Sequence, residues 1–198
     1  MMLAVTPDAD LLDLCLRSDE VPFICKDAAG WAAFRQELSG AVDGLGVGDV
    51  RIVGSGRHGF SMNPKNKLRA FTEESDIDVV VVNDALFDAF WVSLLTAAYP
   101  RMNANVGVGG WKEYGRTELF AGWLTPTAVR MDWKIVGKRA APLRKFKAAW
   151  FDALKLAARH SSQPHNDIQG RLYRTWRHAE LYHLYSLAEL RRSLETSA

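Results

Sequence analysis

The segment Asp76-Ile77-Asp78-Val79-Val80-Val81-Val82 constrains this chain more than any other. It is β-branched and flanked by polar turns, so it predicts a strand. Side chains alternate along a strand, which puts Asp76 and Asp78 on one face. Two carboxylates that close are costly to ionise together unless a cation sits between them. A cation shared by carboxylates and substrate phosphates is the usual habit of Mg²⁺.

A second short strand, Val50 to Val53, runs into the turn Gly54-Ser55-Gly56. Backbone N–H groups and a hydroxyl in such a turn suit phosphate oxygens. Upstream, a helix is expected from about Trp31 to Val42, with Asp27 as its N-cap, and Gly44, Gly46 and Gly48 break it. Met62 to Glu74 is polar and basic, with Pro64 inside, and reads as a loop or hairpin. Ala85 to Ala98 has helical spacing through Leu86, Phe90, Leu94 and Leu95, and Asp84 and Asp88 favour its start.

Leu119 to Leu124 is a candidate strand. Thr127 to Val136 is a clearer one, with Val129, Met131, Trp133 and Ile135 on one face and Arg130, Asp132 and Lys134 on the other. Asp132 is its only acidic residue. If this strand neighbours Asp76 and Asp78, three carboxylates meet and suffice for two metal ions about 3.5–4 Å apart. The plainer alternative is a surface carboxylate. Pro142 opens a helix through about Arg159, a loop follows around Pro164, and a long helix is expected from about Asp167 to Leu194.

With 198 residues, 48% hydrophobic and 24% charged, the chain suits one buried core and argues against disorder. Neither repeats nor a Ser/Pro-rich linker divide it. The expected architecture is α/β (α+β): a mixed sheet with flanking helices in one domain, 1–198, with its core at about 27–140 and a helical extension at about 141–198. No apolar run approaches the roughly 18 residues of a membrane span. The opening carries Asp8, Asp10 and Asp13 where a signal peptide would be basic. Cys15 and Cys25 are too few for a disulfide framework. Together these predict a cytoplasmic protein with no membrane partner.

The net charge of +2 hides an asymmetry: Arg130 to His178 holds twelve Lys or Arg against three Asp, a local +9. On the expected last helix, Arg171, Arg174 and Arg177 fall at i, i+3 and i+6 as a basic stripe. The stripe is either a solvated face or a contact for triphosphate or nucleic acid.

Gly54-Ser55, then Gly59-Phe60-Ser61, then Ser75-Asp76-Ile77-Asp78 with its apolar strand, then Asp132 between apolar residues, together resemble the DNA polymerase β-like nucleotidyltransferase superfamily. Poly(A) polymerases, CCA-adding enzymes, aminoglycoside nucleotidyltransferases, toxin–antitoxin nucleotidyltransferases and oligonucleotide synthases of anti-phage defence belong to it. The match covers Val50 to Val82 and Thr127 to Val136, under a third of the chain. The resemblance implies two Mg²⁺ or Mn²⁺ ions on Asp76, Asp78 and Asp132. It implies an NTP or dNTP gripped by Gly54 and Ser55. Ser61, the loop cations Lys65 and Lys67, and Arg171 and Arg174 of the basic stripe are further candidate phosphate contacts, read from their chemistry and position. The acceptor it implies is a nucleic acid or growing oligonucleotide, with a protein hydroxyl or a catalytically silent, antitoxin-like module as alternatives. A partner protein encoded alongside fits the toxin–antitoxin branch. One departure is the 21-position gap from Ser55 to Asp76, longer than in minimal members; the excess lies in Asn63 to Arg69. A surface insertion is cheap.

A rival pattern overlaps the same turn, since Gly54-Ser55-Gly56-Arg57-His58-Gly59 also matches the dinucleotide fingerprint. That motif needs a helix and then an acid about 20 residues on at the end of the next strand. Here Asp76 and Asp78 begin their strand. A Walker A loop fails because no Gly-Lys-Ser/Thr follows.

Overall fold

The computed structural model describes residues 7–63, 66, 68–99, 108–109, 115–131, 137–163 and 167–195. In chain order the elements are α1 (Asp8–Leu12, running into a single π turn, Asp13–Arg17), α2 (Ala28–Ala41), β1 (Val50–Val53) and α3 (Gly54–His58). Then come β2 (Ile77–Val82), α4 (Asp84–Ala98), β3 (Val108–Gly109), β4 (Trp123–Leu124) and β5 (Arg130–Met131). The chain closes with α5 (Ala141–Ala158), β6 (Ile168–Tyr173) and α6 (Trp176–Glu195).

The result is a mixed α+β fold built on a four-stranded sheet of order β1-β2-β6-β4. Strand β2 lies inside it, antiparallel to β1 and parallel to β6. Its valines suit that place: Val79, Val80, Val81 and Val82 are all buried, because both faces of the sheet are covered. A parallel neighbour requires a long crossover. Residues between β2 and β6 supply it, with α4 and α5 on the way.

On one face, α2, α4 and α5 bury Trp31, Phe34, Phe90, Trp150 and Leu154 against Ile52, Val79, Val81 and Leu172. Side chains of that size contribute about 1.5–3 kcal/mol each when fully buried. On the other face, Val53, Val80, Val82 and Tyr173 meet Leu12 and Leu16 from the N-terminal turns and Ala179 of α6. The helices start where local chemistry stops orphan donors going unpaired: the Asp27 carboxylate accepts from Gly30 N–H at 2.8 Å, and Asn83 accepts from Leu86 N–H at 2.9 Å. Asn83 is thus the cap of α4, and Asp84 lies in its first turn as expected. Among the described residues, no helix is long and apolar enough to cross a membrane.

Two expectations change. The helix expected from Asp167 to Leu194 is a strand followed by a helix, β6 and then α6. Ile168, Gly170 and Leu172 alternate with Gln169, Arg171 and Tyr173, and pairing with β2 and β4 outweighs the helical pattern. Gly170 also lets α5 lie close: a Cβ built there would stand 2.9 Å from Trp150 Cζ2 and 3.0 Å from Leu154 Cδ1. The second change concerns Thr127 to Val136. Pro126–Ala128 form a 3₁₀ turn, and β5 pairs with β3 in a separate two-stranded ribbon, not with the strand of Asp76 and Asp78. Residues 132–136, Asp132 among them, lie outside the described residues.

Candidate active site

The antiparallel register of β1 on β2 sets Val53 opposite Asp78, so the turn leaving β1 begins above that carboxylate. Gly54 has φ +63°, a left-handed conformation that penalises any side chain. A Cβ built there would stand 3.3 Å from Asp78 Oδ2. Gly54 is therefore required twice, by backbone conformation and by close approach. The short helix α3 follows and ends at Gly59 (φ +79°), whose N–H donates to the Ser55 carbonyl at 2.9 Å. Arg57 anchors α3 from below, its buried guanidinium donating to the Glu20 carbonyl at 2.6 Å.

Asp76 is exposed and Asp78 half-buried, and strand alternation sets both on the face that carries Val80 and Val82. Burial pushes the Asp78 carboxyl above its ordinary range; Arg171 opposes that rise and Asp76 adds to it. No hydrogen bond contributes to the shift. A half-buried carboxylate with a second carboxylate beside it, only partly answered by Arg171, and with a backbone turn close to one oxygen, is a donor set that suits a cation. Asp76 and Asp78 fit a divalent ion that would complete its shell with water or phosphate. Among the described residues, no three His, Cys, Asp or Glu side chains gather closely enough to hold a metal by themselves.

Strand β6 brings a residue that a helical reading puts elsewhere. Gln169 lies in register with Asp78, and Arg171 with Val80, so Arg171 shares the sheet face of both carboxylates. Its guanidinium is 5.1 Å from the centre of the Tyr182 ring and 5.8 Å from that of Trp123. Burial works against the Arg171 charge, but Tyr182, Tyr173 and Asp78 outweigh it and raise its pKa. Burial likewise pushes the Tyr173 phenol up, against Arg171. His183, behind the same cluster, is lowered to about 4 by burial and by Arg171, and is a neutral imidazole near neutral pH.

The remaining candidates scatter. Ser61 organises its own loop: its N–H donates to the Arg69 carbonyl at 2.8 Å, and its Oγ accepts from Asn66 Nδ2 at 3.1 Å. Lys65, Lys67 and Asp132 lie outside the described residues. Arg174 follows β6 at the end remote from Asp78 and clasps Asp88 of α4, with Nε–Oδ1 and Nη2–Oδ2 both at 3.2 Å. Arg177 is on α6, 3.5 Å from Glu180. The expected stripe of Arg171, Arg174 and Arg177 therefore does not exist, since the three residues occupy a strand, a connection and a helix. Trp123, Tyr173 and Tyr182, which wall in Arg171, were not marked by sequence; the alternation from Ile168 to Tyr173 was a signal for Tyr173 alone.

Comparison of the chain with protein-family models, with curated proteins and with solved structures returned no match.

Proposed function

We propose that the chain is a metal-dependent nucleotidyltransferase. The observation that carries this reading is the apposition of the Gly54-Ser55 turn on the Asp78 carboxylate, with Asp76 on the same strand face. In the reaction an acceptor hydroxyl oxygen bonds to the α-phosphorus of an NTP or dNTP, the bond from that phosphorus to the β-bridging oxygen breaks, and pyrophosphate leaves as the hydroxyl gives up its proton. The acceptor is a nucleic acid or growing oligonucleotide.

Asp76 and Asp78, with Asp132 as the resemblance implies, would hold Mg²⁺ or Mn²⁺. When bound, the metal supplies charge neutralisation for the phosphates and acidity for the acceptor hydroxyl. The turn at Gly54 and Ser55 offers N–H groups and a hydroxyl to phosphate oxygens, and the absence of a side chain at Gly54 keeps that approach open. Arg171 balances charge beside Asp78 and steadies the strand face from between two rings. Arg174 pairs with Asp88 and is not needed for this reading.

A second reading, a regulatory module of the same fold without turnover, draws on Arg171: a fixed guanidinium already answers part of the negative charge that a metal would answer. Incubation with each labelled NTP and dNTP plus Mg²⁺ or Mn²⁺, with and without tRNA or single-stranded acceptors, separates the two. Pyrophosphate release and product labelling are expected from the natural protein and not from Asp76→Ala or Asp78→Ala. Turnover at the natural level in either variant sinks the transferase reading of these carboxylates. No turnover with any acceptor favours the regulatory module.

A further inference from the structure

The local +9 visible in the sequence has a home other than the last helix. Helix α5, the turn leading into it, Gly137–Ala140, and the C-cap Arg159 together carry seven Lys or Arg against the single Asp152. Six of those cations are exposed: Lys138, Arg139, Arg144, Lys145, Lys155 and Arg159. The helix buries Leu143, Trp150, Leu154 and Ala157 against the sheet, so its exposed positions recur at the spacing of one face. Eighteen residues at about 1.5 Å each make that face about 27 Å long. The ion pairs among the described residues take none of their cations from Lys138, Arg139, Lys145, Lys155 or Arg159. A solvated helix face ordinarily mixes its signs to support itself by i,i+4 pairs. On this face Asp152 is the one acid among the cations, and Lys138, Arg139, Lys145, Lys155 and Arg159 repel one another until a polyanion covers them.

We propose that the exposed face of α5 docks duplex DNA, gripping phosphates without reading bases. Charge complementarity selects a polyanion, and the other residues on the face select among polyanions. Single strands are held by aromatic platforms. Here the one exposed aromatic side chain, Phe151, has its ring face taken by Lys155 Nζ at 4.4 Å. Duplex RNA is recognised largely through its 2′-hydroxyls and shape. Ser, Thr, Asn and Gln are missing from α5, so no neutral polar group stands ready for those hydroxyls. A membrane surface calls for several large apolar side chains beside the cations. Ala141 and Ala148 occupy those places and let a backbone of phosphates approach closely.

The surface is remote from the carboxylates. Helix α5 covers the sheet face of Val79 and Leu172, whereas Asp78 and Arg171 belong to the opposite face. Docking on α5 thus anchors the protein on DNA, and it stands whether or not the transferase reading holds.

The test is fluorescence anisotropy of a labelled, random-sequence duplex DNA of about 16 base pairs, titrated at several salt concentrations between about 50 and 200 mM. The proteins are the natural chain, the triple variant Lys145→Gln/Lys155→Gln/Arg159→Gln, and Asp76→Asn/Asp78→Asn. Each lost phosphate contact lowers the log–log salt slope by about 0.9, so the triple variant should lose about 2.7 units of slope and bind about 10²–10³-fold more weakly at 0.1 M salt. The Asp76→Asn/Asp78→Asn variant should keep the full slope, which separates this surface from the carboxylate site. An unchanged slope in the triple variant, or no duplex DNA binding by the natural chain at low salt, overturns the proposal. So does tighter, α5-dependent binding to duplex RNA, to single strands or to phosphatidylserine vesicles. Thermal melts of the triple variant, expected to match the natural chain because all three positions are exposed, confirm that lost binding is not lost fold.

Discussion

Replacing Gly170 with alanine tests the placement of residues 168–173, on which the position of Arg171 depends. A Cβ at that position would stand 2.9 Å from Trp150 Cζ2, 3.0 Å from Leu154 Cδ1 and 3.1 Å from Trp150 Nε1. Ordinary carbon contacts lie at about 3.5–4.0 Å, so something must retreat by about 0.5–1 Å. Trp150 has little room to do so: its side chain is fully buried and stacks on Phe146 at 6.0 Å and 15°. Overpacking of this kind costs about 1–3 kcal/mol. The alanine also narrows the unfolded ensemble, which returns about 0.4–1 kcal/mol. The net expectation is a destabilisation of about 1–2 kcal/mol, or about 4 °C in Tm for a chain of this size.

Were residues 167–194 one helix, the same substitution would be stabilising, by about 1 kcal/mol, because glycine is a poor helix former. The two placements differ in sign. Urea denaturation followed by circular dichroism measures it, with an unchanged m-value as the control that the unfolded state is the same. A midpoint at or above that of the natural protein refutes both the strand assignment and the close packing of α5 on it.

Three further outcomes are expected. Asp78→Asn should melt above the natural protein in metal-free buffer: the folded carboxyl is raised by burial, so its contribution is favourable only at acid pH and is lost as pH rises through the folded value. The advantage of the variant should therefore grow from acid towards neutral pH, and a fall in Tm at neutral pH contradicts it. Gly54→Ala should lose about 1–2 kcal/mol for its left-handed backbone and weaken Mn²⁺ binding by calorimetry, since the new Cβ meets Asp78 Oδ2; unchanged stability shows that the turn is not left-handed. Arg171→Met should lose two ring contacts, about 1–2 kcal/mol together, and destabilise more at neutral than at acid pH because Asp78 loses its opposing charge. A loss that is the same at both pH values refutes the link to Asp78.

Much of the fold was legible locally. The β-branched run that opens at Asp76 could only be a strand, and it is β2. Asp27 was a cap by its chemistry, and its carboxylate accepts from Gly30 N–H. Pro142 lies in the first turn of α5, where a missing N–H does no harm. In each case the physical cause acts within a few residues, so the chain order alone carries it.

What failed to read locally was set by distant partners. Ile168 to Tyr173 satisfies helical and strand periods alike over six residues, and only the ladder to β2 decides between them. That ladder moves Arg171 from a supposed surface stripe to the face of Asp78, and sends Arg174 to Asp88. The amino-acid sequence by itself determined most of the elements up to α4, the paired carboxylates, the phosphate-suited turn and an excess of cations after Arg130. Tertiary structure alone decided that the turn presses on Asp78, that the exposed cations line α5, and that burial pushes the Asp78 carboxyl up. Registry between strands and distance from water are properties of the assembled sheet, and no local pattern contains them.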